Sequence, residues 1–271
     1  MYNEQDYMKL LDILYKAVSA TRSQPNPPQA DEKLKDAEHL ATKFLVHGAS
    51  MLYLSRGTHV HDFPSVRLGF TDSASIDVVA RAAFETFLVF HHIFLAPAGE
   101  EERHYRYLSW KAAGLAERQQ FPVPTQEHQE KLGEERRVLQ DLHSKLWSNV
   151  FFQLEVQEEH KEKVLRGEWR LKSWREIAQI AGLTRVLSLD MYRYLCEYSH
   201  SGFVSVSQIE QALHKSEQPH LIEPAMITVA IAAANLIHGY GELFPVTKQA
   251  LAADAAGHEV VAKWVAIGRR L

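Results

Sequence analysis

Apolar residues recur along most of the chain at three- and four-residue steps, the spacing of a helix face. The strongest such stretch is 72–95, DSASIDVVARAAFETFLVFHHIFL. Ile76, Val79, Ala83, Phe87, Phe90 and Phe94 share one face, and Ala80, Phe84, Leu88, His91 and Leu95 widen it to most of the circumference. A helix apolar nearly all round is a buried helix. Asp72 stands where its side chain can cap the first turn. One narrow polar stripe interrupts the apolar surface: Asp77, Arg81, Glu85 and His92. Charges on a buried helix must find partners, because desolvating them alone is costly. The stripe is therefore the first place to look for a site.

The same spacing predicts an amphipathic helix over 4–20 and, after the Pro-rich connector 23–30, a helix over 31–55 opened by Asp31. Residues 1–22 are thus expected as a helical arm, and 31–271 as a single helical-bundle domain. A loop is expected over 56–71, a helix over 100–120 with three glutamates in its first turn, and one long charged helix over 126–166. A short helix opening at Ser173, with Glu176 completing a capping box, precedes a helix over 187–199. The segment 203–209, FVSVSQI, alternates and is the one strand-like piece. A second nearly all-apolar helix covers 222–244 and is closed by Pro245, and a last helix covers 255–268. The pattern gives an all-α, multi-helix bundle of about nine helices, built on two or three apolar central ones around Arg81, Cys196 and Ala232.

Composition changes this picture little. The chain has 271 residues, enough for a substantial core, with 46% hydrophobic and 24% charged. A net charge of −4 argues against a general electrostatic footprint for nucleic acid. The single cysteine, Cys196, forbids an internal disulfide and points to a reducing, cytoplasmic setting. The N-terminus MYNEQDYMKL lacks the pattern of a signal peptide, and the apolar run AMITVAIAAANLI is too short to span a bilayer, so no membrane role is expected.

Two stretches carry candidate chemistry. Arg81 and Glu85 stand one turn apart and can pair, either as a structural lock or as the lining of an internal ligand site to which His92 and Glu197 would contribute. The stretch 191–202, MYRYLCEYSHSG, sets three tyrosines, Ser199 and His200 at a helix end, where the dipole favours a cationic His200. Glu197 and His200 have the Glu-x-x-His spacing of di-iron bundles, shared by Glu101/His104 and Glu217/His220, with Glu85 and Glu242 as the further carboxylates such a site needs. Chance spacing accounts for matches of this kind, and no metal or cofactor is expected. Walker, Gly-x-Ser-x-Gly and His-Glu-x-x-His motifs are absent.

RAAFETFLVFHHIF, the Arg103/Tyr105/Arg106 helix, the Trp174 helix and YRYLCEYSHSG together resemble a family of bacterial all-helical proteins of unknown function. That family has an Arg-x-x-x-Glu helix and a later Tyr-x-[Ser/Cys]-x-x-x-His segment, matched here by Arg81, Glu85, Tyr194, Cys196 and His200. The likeness extends loosely to HEPN-type domains, which include metal-independent RNases of toxin and phage-defence systems. Their signature is Arg, four to six residues, then His. Arg193 and His200 fit it, as do Arg56/His61, Arg136/His143 and Arg137/His143; Tyr194, directly after Arg193, departs from the usual polar residue. The resemblance implies His200 as acid/base, Arg193 or Arg81 on phosphate charge, Tyr194 beside them, and a homodimer that completes the site.

Three functions stay open at this point. One is an intracellular binding or regulatory protein with an internal polar site, holding RNA or a small molecule. A HEPN-like RNase or RNA-binding protein is the second, and a carboxylate/His metal-binding bundle is the third. Whether the chain is an enzyme is not decided by its sequence.

Overall fold

A computed structural model gives the structure and describes residues 2–24, 31–60, 68–213 and 218–271. His61, Pro64, Glu217 and most of the Pro-rich connector lie outside them. In chain order the elements are α1 (Glu4–Arg22), α2 (Glu32–Ser55), β1 (Thr58–Val60), β2 (Leu68–Phe70) and α3 (Ser73–Phe90), which runs into a π turn at His91–Leu95. Then come α4 (Glu100–Arg118), α5 (Gln126–Ser148), α6 (Val150–Leu154), α7 (Glu158–Leu165) and α8 (Trp174–Ile180). A second π turn, Val186–Met191, leads into α9 (Tyr192–Ser199), followed by α10 (Phe203–Ser207), α11 (Ile209–Leu213), α12 (Gln218–Leu243), α13 (Pro245–Ala253) and α14 (Ala255–Gly268). The protein is all-α; among the described residues the only strands are β1 and β2, paired antiparallel with His59 opposite Gly69.

The chain divides into two compact units: Met1–His91 with Trp174–Leu271, and His92–Ser173. At the centre of the first unit α3 packs on α12; α2 and α9 cover α3, while α1 and α14 cover α12. Ile76, Ala80, Ala83, Phe84, Phe87 and Phe90 of α3 are buried, as are Val229, Ala230, Ile231, Ala232, Ala233 and Ile237 of α12. The Phe90 and Tyr240 rings stack at 6.3 Å between centroids. Small residues let the helices approach closely: a Cβ on Gly268 of α14 would run into the Ile231 side chain of α12. Both central helices are long and apolar enough to cross a membrane, and more than half of each apolar stretch is buried inside the protein. At 26 residues α12 is twice the run counted from sequence, because the helix continues through Pro224 in its first turns and through Asn235.

Helix starts follow local chemistry. Asn3, Asp31, Asp72, Thr125 and Asp254 each accept from a free backbone N–H of the turn they open. Pro245, expected as a terminator, also opens α13, where its missing N–H costs nothing. In the second unit α4 packs against α5, α6 and α7 around Tyr105, Leu108, Ala112, Leu142, Leu146 and Phe152.

Several expectations change. The arm 1–22 is not a separate body: α1 packs on α2, α12, α13 and α14, with Leu10 and Leu14 fully buried and the Tyr7 hydroxyl donating to the Gly48 carbonyl at 3.0 Å. The domain 31–271 is interrupted by the unit at 92–173. The helix expected over 126–166 breaks at Asn149, whose extended backbone stops α5 and whose side chain caps α6. The strand-like 203–209 is helical, since a five-residue alternation is too short to separate the two periods. The count of nine helices rises to fourteen among the described residues: 126–166 holds α5, α6 and α7, the stretch from Phe203 holds α10 and α11, and Pro245 opens α13.

Asn149 is buried; its Oδ1 accepts from Phe152 N at 2.9 Å and its Nδ2 donates to the Glu101 carbonyl at 3.1 Å. Its Nδ2 also donates to Glu101 Oε2 at 3.0 Å, so Asn149→Ala removes three bonds and is expected to cost about 2 kcal/mol in urea denaturation. An unchanged midpoint would contradict this account of the α5–α6 joint.

Candidate functional site

The seam where α9 lies on α3 holds the polar stripe. Asp77, Arg81 and Glu85 stand at four-residue steps on α3, and Tyr192, Cys196 and His200 stand at four-residue steps along α9. Arg81 joins the two rows. Its Nε donates to Glu85 Oε1 at 3.0 Å, its Nη1 lies 3.1 Å from His200 Nε2, and its guanidinium sits 5.7 Å from the Tyr192 ring centre. Tyr192 donates from its hydroxyl to the same Glu85 oxygen at 2.8 Å. The Arg81 and Glu85 side chains are about three-quarters buried, and His200 stands at the exposed end. Burial opposes the charge on Arg81, but the hydrogen bond and charge of Glu85 outweigh it and raise its pKa. Burial, then the bond to Glu85, raises that of Tyr192.

An arginine has only donors, so His200 Nε2 must accept and a neutral ring carries its proton on Nδ1. His200 is the C-cap of α9, and Ser201 after it takes a left-handed φ of 52°. Gly202 N reaches back to the Glu197 carbonyl at 2.7 Å and Ser201 N to the Tyr198 carbonyl at 3.5 Å, closing a Schellman turn that fixes the position of His200 at the helix end.

Below Arg81 the stripe ends in Asp77. It is fully buried, and neither carboxyl oxygen has a hydrogen-bond partner among the described residues. Desolvation pushes its pKa up to about 8. Tyr194 and Tyr198 of α9 feel its charge: burial first, and Asp77 after it, raise the pKa of both. Tyr194 donates to the Tyr198 hydroxyl at 3.3 Å, and Tyr198 to the Gln208 side-chain oxygen.

The sequence candidates thus separate. Arg81, Glu85 and His200 meet, and Tyr194 lies on the same seam with its hydroxyl turned to Tyr198. Arg193 and Glu197 are exposed and their side chains share none of the bonds around Arg81; the Glu197 carboxylate folds over Gly202. His92 belongs to the other unit, where Arg106 donates to its carbonyl at 2.7 Å and lies 3.1 Å from its Nδ1, beside Trp169. A π turn holds one residue more than an α turn, so a stripe counted at α spacing does not carry through 91–95. Tyr192 and Gln208 were not among the candidates. Tyr192 shares the face of Cys196 and His200, a signal the sequence holds; Gln208 was hidden by the strand reading. Among the described residues no three His, Cys, Asp or Glu side chains gather as metal ligands, and Glu242, wanted by the metal reading, pairs with Lys248.

Comparison with protein-family models, curated proteins and solved structures finds no match. The family likeness therefore rests on its motifs, and the chemistry on the seam itself.

Asp77 gives a test in pH. Its folded pKa lies above the ordinary carboxylate value, so its contribution is fully present in acid and is lost as pH rises from about 4 through about 8. Asp77→Asn removes that loss: the variant is expected to exceed the wild type by at least ~1–2 kcal/mol near pH 8, with the gap narrowing towards pH 4. Parallel stability curves for the two proteins would show that Asp77 has a partner.

Proposed function

We propose that the chain is a cytoplasmic binding or regulatory protein whose polar site is the Arg81-centred seam between α3 and α9. One observation carries this reading: the His200 nitrogen facing the seam accepts from a guanidinium, so its lone pair is engaged rather than free to take a proton from a substrate. The arrangement is that of a lock with one open end. Glu85 and Tyr192 hold Arg81 from the inner side, and a ligand arriving from solvent meets His200 and the outer edge of Arg81. A small molecule or RNA segment with an acceptor group can compete for Arg81 Nη1 and release His200. No membrane or cofactor enters this reading.

The HEPN-like RNase is the second reading: Arg81 places a cation able to stabilise phosphate charge next to His200, while their contact as it stands engages the His200 lone pair. That reading needs His200 freed from Arg81 and a homodimer in which exposed Arg193 serves the partner's site.

Incubating RNA with the purified protein in chelator, beside His200→Ala, separates the two. The binding reading expects no cleavage by either. It also expects Arg81→Ala and Glu85→Ala each to lower stability by about 1–3 kcal/mol, because each strands a largely buried partner. Cleavage by the wild type and not by His200→Ala would replace it with the RNase; unchanged stability in both charge variants would remove the lock.

A further inference from the structure

A second site lies in the same unit, on other helices. Residues 258, 261, 262, 265, 266 and 269 of α14 and its cap fall at three- and four-residue steps and form one face. Beside this face, against α12 and α13, runs an open cleft of about 470 Å³. That is the size of a small-molecule site, about 300–1,000 Å³. Leu251, Val261, Val265 and Ala266 make its floor apolar. Arg269 and Arg270 stand at its end and His238 and His258 on its flanks, with no Asp or Glu in the lining.

Neither Arg269 nor Arg270 has a carboxylate partner among the described residues, and both are exposed. Glu242, one turn after His238 on α12, is held by Lys248 at 2.9 Å. Part of the arginine charge offsets the dipole at the end of α14. A separate, smaller pocket of about 80 Å³ between α1 and α13 shares Leu251; Ile13, Ala17 and Ala250 line it, with Lys16, Thr247 and Asp254 at its edge.

An apolar channel with a cationic end fits a molecule that is apolar along its length and anionic at one end. We infer that this groove binds a long-chain carboxylate of the fatty-acid type, with its head on Arg269 and Arg270 and its tail along the α14 face towards Leu251. The two arginines supply the donors for a carboxylate. The tail gains by leaving water, each buried methylene strengthening binding by roughly fourfold. The inference shares no residue with the α3–α9 seam, so its failure leaves the proposed function standing, and the reverse.

The test is calorimetric titration of the full chain with laurate, with dodecanol and butyrate as controls, and with phosphatidylserine vesicles in a separate arm. Laurate is expected to bind at one site, and dodecanol and butyrate at least about tenfold more weakly. The double variant Arg269→Glu/Arg270→Glu, altered only at exposed positions, is expected to lose at least about tenfold for laurate, and Ala266→Trp, which fills the floor, to do the same with the charges intact. Absence of laurate binding, equal binding of dodecanol, or unchanged affinity in both variants would overturn the inference. So would binding to the vesicles without binding of free laurate, which would make the groove a membrane-facing surface.

Discussion

The first unit depends on how one guanidinium is satisfied. Arg81 stands on a helix whose other faces are given to the core, and a cation there must bring its own partners. Glu85, one turn on, supplies the countercharge. Tyr192 crosses from α9 to hold Glu85, and His200 closes the outer side. The result fixes α9 against α3 at both ends of its exposed face. It also leaves Asp77 behind. Asp77 is one turn before Arg81, but the guanidinium bonds to Glu85 on the other side, so the carboxyl stays buried without a hydrogen-bond partner among the described residues and its pKa rises.

Much of the rest of α3 is buried in the core. Buried alanines along α12 and Gly268 of α14 let these helices come close, and aromatic side chains of α3 are buried beside them. The same apolarity that makes α3 and α12 long enough to cross a membrane is absorbed by α1, α2, α9 and α14. The second unit repeats the logic on a smaller scale. Arg106 of α4 pairs with Glu102 and donates to His92, so a buried arginine again takes a carboxylate one turn away and a histidine.

Much of this was legible in the sequence because local chemistry decides it. Asp72, Asp31 and the 72–95 periodicity predict the central helix and its neighbour, and the Arg81–Glu85 spacing predicts their pairing. Long-range and irregular features were not legible. The π turns at 91–95 and 186–191 shift the helix phase by a residue, which no count at 3.6 residues per turn detects; this is why His92 drops out of the stripe. The break at Asn149 depends on a partner 48 residues away, the Glu101 carbonyl. The division at 92 and 173 follows from contacts between distant segments and leaves no mark in composition. Arg193 fits a motif by spacing but points to solvent, because spacing fixes a residue's face and not what covers it.

The most direct measurement of the Arg81 lock is the tautomer of His200, read from the nitrogen chemical shifts of the imidazole in labelled protein near neutral pH. The account predicts a neutral ring protonated on Nδ1, with Nε2 unprotonated and hydrogen-bonded, and loss of that preference in Arg81→Ala. A ring protonated on Nε2 in the wild type, or the same pattern with and without Arg81, would contradict it.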